Sequence, residues 1–363
     1  MHYVRQGIKI LVVIFVFISL TSGAAGASPV ANSSDPLDCE FPLTAEDATD
    51  TTVEVTEQPE RIVTLQPSST QIAWEIGAWD RVVGAPVGPY IDYLAGYDDP
   101  SDISMADDLT PNIEEIIALE PDLVVAAGVQ DDEQIKQLRD AGLTVFKFST
   151  PTSFDALYAE IYLMGQLSGS CDGAVETVDW MQSEMSVVET AVDDEEQPTV
   201  AYLMGGGFTA GDGSFTDEII TTAGATNLAT EVGIEFYDVL SEELLVQEEP
   251  DWIIYPDTFD EPPVDGDGVT ETPAWENDNF IVLNASYLNQ AGPRIVYPVS
   301  ELAATLHSEA YEEPLDEARH PNPYAEDERN AASAEHVDEQ PGFGVVIATI
   351  AALSMAFLRT RHR

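Results

Sequence analysis

Few residues in this 363-residue chain have types and spacing suited to bond-making chemistry. The five histidines are His2, His307, His320, His336 and His362, and four of them fall in end segments read below as signal, tether and tail. A zinc or manganese site needs several histidines and carboxylates converging on one cleft, so this distribution argues against one. The two cysteines, Cys39 and Cys171, have no histidine beside them that would make a nucleophilic pair. Gly205-Gly206-Gly207 follows an apolar run as a phosphate loop would, but the Lys-Ser/Thr that such a loop requires is missing. The 67 carboxylates are too many to single out an acid/base pair. The chain is therefore read as a binding protein, not an enzyme, with neither a resident cofactor nor a structural metal. Two features suit recognition. Phe208 lies in Gly205-Gly206-Gly207-Phe208-Thr209-Ala210-Gly211, where glycines let backbone approach a bound molecule. Arg294 follows Gly292-Pro293 at a helix start, placed to meet either an anionic ligand or a buried carboxylate.

The elements that position these residues alternate between strand and helix. Ile62–Leu65 is a short β-branched run, Pro67-Ser68-Ser69-Thr70 opens a helix that Gly77 closes, and Val82–Ala85 starts a second strand. This βαβ unit places a helix at the carboxyl end of a strand, where α/β folds bind ligands. A helix from Pro111 leads to the buried strand Leu123–Ala127. A helix over 131–141 and a strand over 143–148 follow, which predicts a parallel sheet. Val175, Val178, Met181, Met185, Val188 and Val192 recur at steps of three and four, giving a long helix over 174–192. A second α/β region begins at Thr199–Met204, with strands at Trp252–Tyr255 and Phe280–Leu283 and a closing helix over 293–307.

The ends read differently. Residues 1–27 carry Arg5 and Lys9, an apolar core from Ile10 to Leu20, and small residues suited to cleavage, which together form an export signal. Residues 28–59 are a polar extension with a glycosylation sequon at Asn32. In an exported chain, Cys39 and Cys171 are expected to pair, tying this extension to the start of the long helix. Residues 312–340 form an acidic, apolar-poor tether expected to be disordered. Gly342–Leu358 is uncharged and apolar, and Arg359, Arg361 and Arg363 follow it. That pattern predicts a membrane segment with its basic end in the cytoplasm and everything upstream outside the cell. The formal charge is −54, and the only lysines are Lys9, Lys136 and Lys147. Nucleic acid and anionic lipid surfaces are therefore poor partners, and the balance suits a folded protein working in high salt.

Several stretches, in order and at matching spacing over about 60–311, resemble the substrate-binding proteins of ABC importers for cobalamin and ferric siderophores. They are Arg61–Leu65 with Pro67-Ser68-Ser69-Thr70, Pro111-Asn112-Ile113-Glu114, Ala118–Val125, Gly207–Gly211 and Gly292-Pro293-Arg294. The resemblance implies a class III periplasmic-binding fold. In that fold a Rossmann-like lobe (60–171) and a second (198–311) are joined by a single spine helix (172–197). It implies a monomeric receptor whose ligand lies between lobes that move little. Tyr90, Phe208, Tyr237 and Tyr287 occupy positions similar to the aromatic lining of the cobalamin-binding member, and Arg294 is the candidate charged contact. Glu114 and Glu243 match the acidic residue that each lobe of such receptors presents to permease arginines. Arg294 and Arg81 are the chief basic residues near the pocket, so a weakly charged chelate such as cobalamin is favoured over an anionic ferric siderophore, with haem a further alternative. The second sequon, Asn284-Ala285-Ser286, lies beside Tyr287, so it is expected to be unmodified. Pro341-Gly342-Phe343 before the apolar tail (341–363) resembles the sorting signal of archaeal surface proteins, in which a transpeptidase exchanges the tail for a lipid.

Overall fold

The computed structural model describes residues 37, 39–105, 108–264 and 269–311. The signal, the start of the extension (28–36 and 38) with the Asn32 sequon, the tether and the apolar tail lie outside them. Among the described residues, the first lobe is built on a parallel sheet. Its strands run in the order Ser101–Asp102, Val82–Ala85, Ile62–Thr64, Leu123–Ala126, Val145–Lys147. The second lobe has a parallel sheet in the order Thr226–Asn227, Thr199–Tyr202, Trp252–Pro256, Phe280–Leu283. Central strands such as Leu123–Ala126 are buried along their whole length, as expected of a parallel sheet covered by helices on both faces.

The spine helix runs from Cys171 to Val192 and spans about 33 Å at 1.5 Å per residue. It starts three residues earlier than its stripe predicts. The preceding helix, Phe154–Ser168, is closed by Gly169 in the left-handed conformation (φ 75°), and only two residues separate the two helices. Gly173 fits inside the first turn because the carbonyl of Ile76 presses against it; a Cβ there would sit 2.1 Å from that oxygen. Farther along, Thr177 Oγ1 donates to the Glu75 carbonyl at 3.1 Å, and Trp180 packs on Tyr297 of the second lobe with ring centres 5.8 Å apart. The buried face comprises Ala174, Thr177, Val178, Trp180, Met181, Met185, Val187, Val188 and Ala191, a wider band than a single stripe. It must be wide because the helix packs on both lobes, and one apolar cluster runs continuously through lobe, spine and lobe.

The extension carries structure that its composition does not announce. Leu43–Glu46 and Thr52–Val55 form an antiparallel hairpin. Asp47 in its turn accepts from the Lys147 amide at 3.1 Å, and Ala48 N–H donates to the Lys147 carbonyl at 2.9 Å. The hairpin turn thereby covers the edge strand of the first sheet, a common way to blunt an exposed edge. Cys39 and Cys171 are joined by a disulfide between this extension and the first residue of the spine.

Candidate ligand-binding cleft

In the second lobe the chain leaves the sheet after Tyr202 and passes through Gly205, Gly206 and Gly207, at φ 88°, 61° and 78°. Three consecutive residues in this region are tolerated only because none carries a Cβ. The turn aims the strand Phe208–Ala210 outward, where it pairs with Tyr237–Val239. Phe208 lies opposite Val239, and Ala210 opposite Tyr237, so these side chains share one face of a two-stranded ribbon. Ala210 is covered, whereas Phe208, Tyr237 and Val239 are 50%, 55% and 49% exposed, and neighbouring Phe236 is 59% exposed. Four large apolar side chains are thus left in water on and beside one small ribbon.

In the first lobe the loop after Val82–Ala85 presents Tyr90, also half-exposed. A chain of polar contacts fixes its backbone to the other lobe. Gln290 Nε2 donates to the Tyr90 carbonyl at 2.8 Å, and the Tyr93 hydroxyl donates to Gln290 Oε1 at 3.2 Å. Gln71 Nε2 donates to that hydroxyl, and Gln71 Oε1 accepts the Arg294 amide at 2.9 Å. Burial pushes the Tyr93 phenol well above its ordinary pKa, so it stays protonated as a donor.

Arg294 takes the second of the two roles open to it, which corrects its placement among ligand-contacting residues. Its Nε donates to Glu75 Oε1 at 2.6 Å, with the two side chains 2% and 1% exposed. The guanidinium also lies 5.2 Å from the Trp74 ring centre and 4.9 Å from that of Tyr93. This arrangement leaves no exposed face for a ligand. Arg81 is likewise engaged in structure, donating to the Ser168 carbonyl and, at 2.6 Å, to Ser170 Oγ. Tyr287 is half-buried, edge-on to Tyr93 at 5.1 Å and tilted against Tyr297 at 5.6 Å. It therefore belongs to the aromatic joint between the lobes, with only part of its surface turned outward. The five candidates thus divide into three exposed side chains (Tyr90, Phe208, Tyr237) and two at the interlobe contact (Tyr287, Arg294).

Tyr93, Gln290, Phe236 and Val239 complete this picture and were not singled out from the sequence. The two-residue step from Tyr237 to Val239 was the one available signal, since strand periodicity puts both on one face. A cavity of about 260 Å³ borders the ribbon, lined by Gly206, Gly207, Val239, Leu240, Pro263 and Val264 among others. A larger one, of about 390 Å³, lies within the first lobe, away from Tyr90 and Phe208. Neither cavity is lined by Tyr90, Phe208 or Tyr237.

Glu114 and Glu243 are exposed in the first turns of the helices Ile113–Ala118 and Glu242–Glu248, one on each lobe. Asn112 and Ser241 cap these helices, accepting from the Glu115 amide at 3.3 Å and the Leu244 amide at 3.2 Å. His307 is buried at the end of the closing helix, with Nε2 3.1 Å from the Gly224 carbonyl.

Residues 62–287 match the periplasmic binding protein family. The chain belongs to that family. Within it, a cobalamin-binding protein of Halobacterium salinarum is 33% identical over 319 residues, covering 85% of this chain and 86% of that protein. An uncharacterised ABC transporter substrate-binding lipoprotein of Bacillus subtilis is 28% identical over 286 residues, covering 75% and 88%. Among solved structures, the periplasmic heme-binding protein of Roseiflexus is 26% identical with a TM-score of 0.59, covering 69% of this chain and 99% of that one. Two parallel-sheet lobes on one helix are the class III architecture of these binding proteins.

Proposed function

We propose that this protein is a receptor of an ABC importer, held on the outer face of the cell membrane, that captures a metal chelate and delivers it to the permease. A corrinoid such as cobalamin is the favoured ligand. The observation that carries this reading is the exposed apolar ribbon of Phe208, Tyr237 and Val239 on one lobe, with Tyr90 exposed on a loop of the other. Aromatic faces bury large area against a flat macrocycle at little entropic cost. With Arg294 and Arg81 committed to internal partners, the cleft has little positive charge to offer a polyanion, which supports a weakly charged chelate. The cobalamin-binding relative points the same way. Haem is the second reading, supported by the heme-binding structural neighbour and by the exposed phenols of Tyr90 and Tyr237.

In this reading Glu114 and Glu243 pair with permease arginines and set the orientation of docking. The segment 341–363 supplies the anchor, and the protein acts as a carrier, not a catalyst. Equilibrium dialysis of the exported chain in molar salt against cyanocobalamin, haemin and a ferric siderophore tests the proposal. Saturable retention of cyanocobalamin is expected, and failure to retain any of the three would remove the receptor function. Charge reversal at Glu114 or Glu243 should leave retention intact and abolish uptake by cells.

A further inference from the structure

The first lobe contains a second chamber that plays no part in the cleft. Its volume is about 390 Å³, at the lower end of the range for small-molecule sites. The hairpin turn at 46–48 covers it, the strand Val145–Lys147 and the loop after it form the floor, and the helix Phe154–Ser168 forms one wall. Phe146, Phe148, Pro151 and Leu163 give it an apolar side, and polar and charged residues line the rest.

Three charged groups besides Glu160 border this space. Asp47 is fully engaged, accepting from the amides of Thr49, Thr51 and Lys147 and from Arg139. The Lys147 ammonium is held by Asp132 at 2.5 Å. Glu46 is exposed at the mouth. Glu160, on the helix wall, is only 7% exposed, and burial is the one influence on its carboxyl that the described residues supply. A buried carboxyl without a partner is costly to keep. Its burial alone raises its pKa to about 8.

We propose that this chamber is a binding site for a small primary ammonium ion with an apolar body, whose cationic head is received by Glu160. The alternatives fit less well. The walls present carboxylates and no uncommitted cation, so an anion would be repelled. A wholly apolar molecule would fill the space but leave Glu160 without a partner. An ammonium ion satisfies the carboxylate, and its hydrocarbon part is matched by Phe146, Phe148 and Leu163. Ser149 and Thr150 line the same space at its exposed side. The ammonium requires the ionised carboxylate, so binding expels the proton that Glu160 holds at neutral pH. Affinity should rise about 50-fold from pH 6 to pH 8 and flatten above that.

The probe is benzylammonium, with benzyl alcohol as its neutral isostere, titrated calorimetrically into the exported chain in molar salt at pH 6 and pH 8. Saturable benzylammonium binding with proton release is expected, at least tenfold tighter than benzyl alcohol and at least tenfold weakened in Glu160→Gln. Ala159→Trp, which narrows the chamber without touching the carboxyl, should abolish binding; it decides the matter if Glu160→Gln does not fold. Benzylammonium binding should be the same in Phe208→Ala as in the parent chain, which separates this site from the cleft. No saturable binding at pH 8, or unchanged affinity in Glu160→Gln or Ala159→Trp, would overturn the assignment.

Discussion

Replacing Glu75 by Gln should be among the most damaging single changes outside the aliphatic core. Glu75 ends the first helix of one lobe, and Arg294 precedes the closing helix of the other, so their contact is an interlobe joint. At 2.6 Å and an effective dielectric constant near 20, the attraction is on the order of 6 kcal/mol. Desolvating two ions costs several kcal/mol each, so the net worth of the intact pair is small. Removing one partner is different, because it leaves a guanidinium buried with its principal counter-charge gone, at a cost of about 3–5 kcal/mol. The rings of Trp74 and Tyr93 remain in Glu75→Gln and place it near 3 kcal/mol. Against a total stability of about 5–15 kcal/mol this is a large fraction. Urea unfolding at fixed salt measures it. The double variant Glu75→Gln with Arg294→Met should be more stable than Glu75→Gln alone, since no charge is then stranded. Raising the salt from 1 M to 4 M should not rescue Glu75→Gln, because buried charges are poorly screened. A loss below about 1 kcal/mol, or a double variant whose loss equals the sum of the two singles, would refute this account of the joint.

Three further outcomes are expected. Phe208→Ala and Tyr237→Ala each remove a ring with roughly 100 Å² available for burial, worth about 2.5 kcal/mol; each should weaken chelate retention roughly 50-fold, and a change under threefold in equilibrium dialysis would count against the ribbon. Glu160→Gln should be equal to the parent in stability at pH 4.5 and more stable by about 3 kcal/mol at pH 7, because the folded pKa of about 8 lies above the ordinary 4.5 and the unfolded chain alone gives up the proton between them. Urea titrations at both pH values check the sign, and equal stability at pH 7 would show that the carboxyl is solvated. Cys39→Ser opens a loop of sequence separation 132 and should lower unfolding free energy by about 2–4 kcal/mol in non-reducing buffer while leaving the cleft intact.

The parallel strands were legible in the sequence because burial on both faces writes itself as unbroken apolar runs, as in Leu123–Ala127 and Trp252–Tyr255. Ser101–Asp102 and Thr226–Asn227 were not, since two polar residues become strands only when a finished sheet offers them an edge. The hairpin of the extension was overlooked for a related reason. Val53 and Val55 alternate with acidic residues and threonines, and the composition masks a pattern that alternate burial reveals. Phe208 was legible through its glycines. The fate of Arg294 was not, because its partner lies 219 residues away and no local pattern distinguishes a ligand contact from an internal ion pair. Tyr287 was found as an aromatic of the right neighbourhood; its use as a joint depends on Tyr93 and Tyr297, which only the assembled lobes bring to it.

The contact of Gly173 with the Ile76 carbonyl sets a rule for recombining receptors of this type. With no side chain at 173, the first lobe settles onto the spine at the separation the bare backbone allows. A chimaera that takes its spine from a relative with alanine there would need the donor lobe to be lifted by more than an ångström, and that tilt would be magnified at the rim, where the aromatics sit. Grafting a new specificity onto this scaffold should therefore keep glycine at position 173, whatever side chain stands at 76.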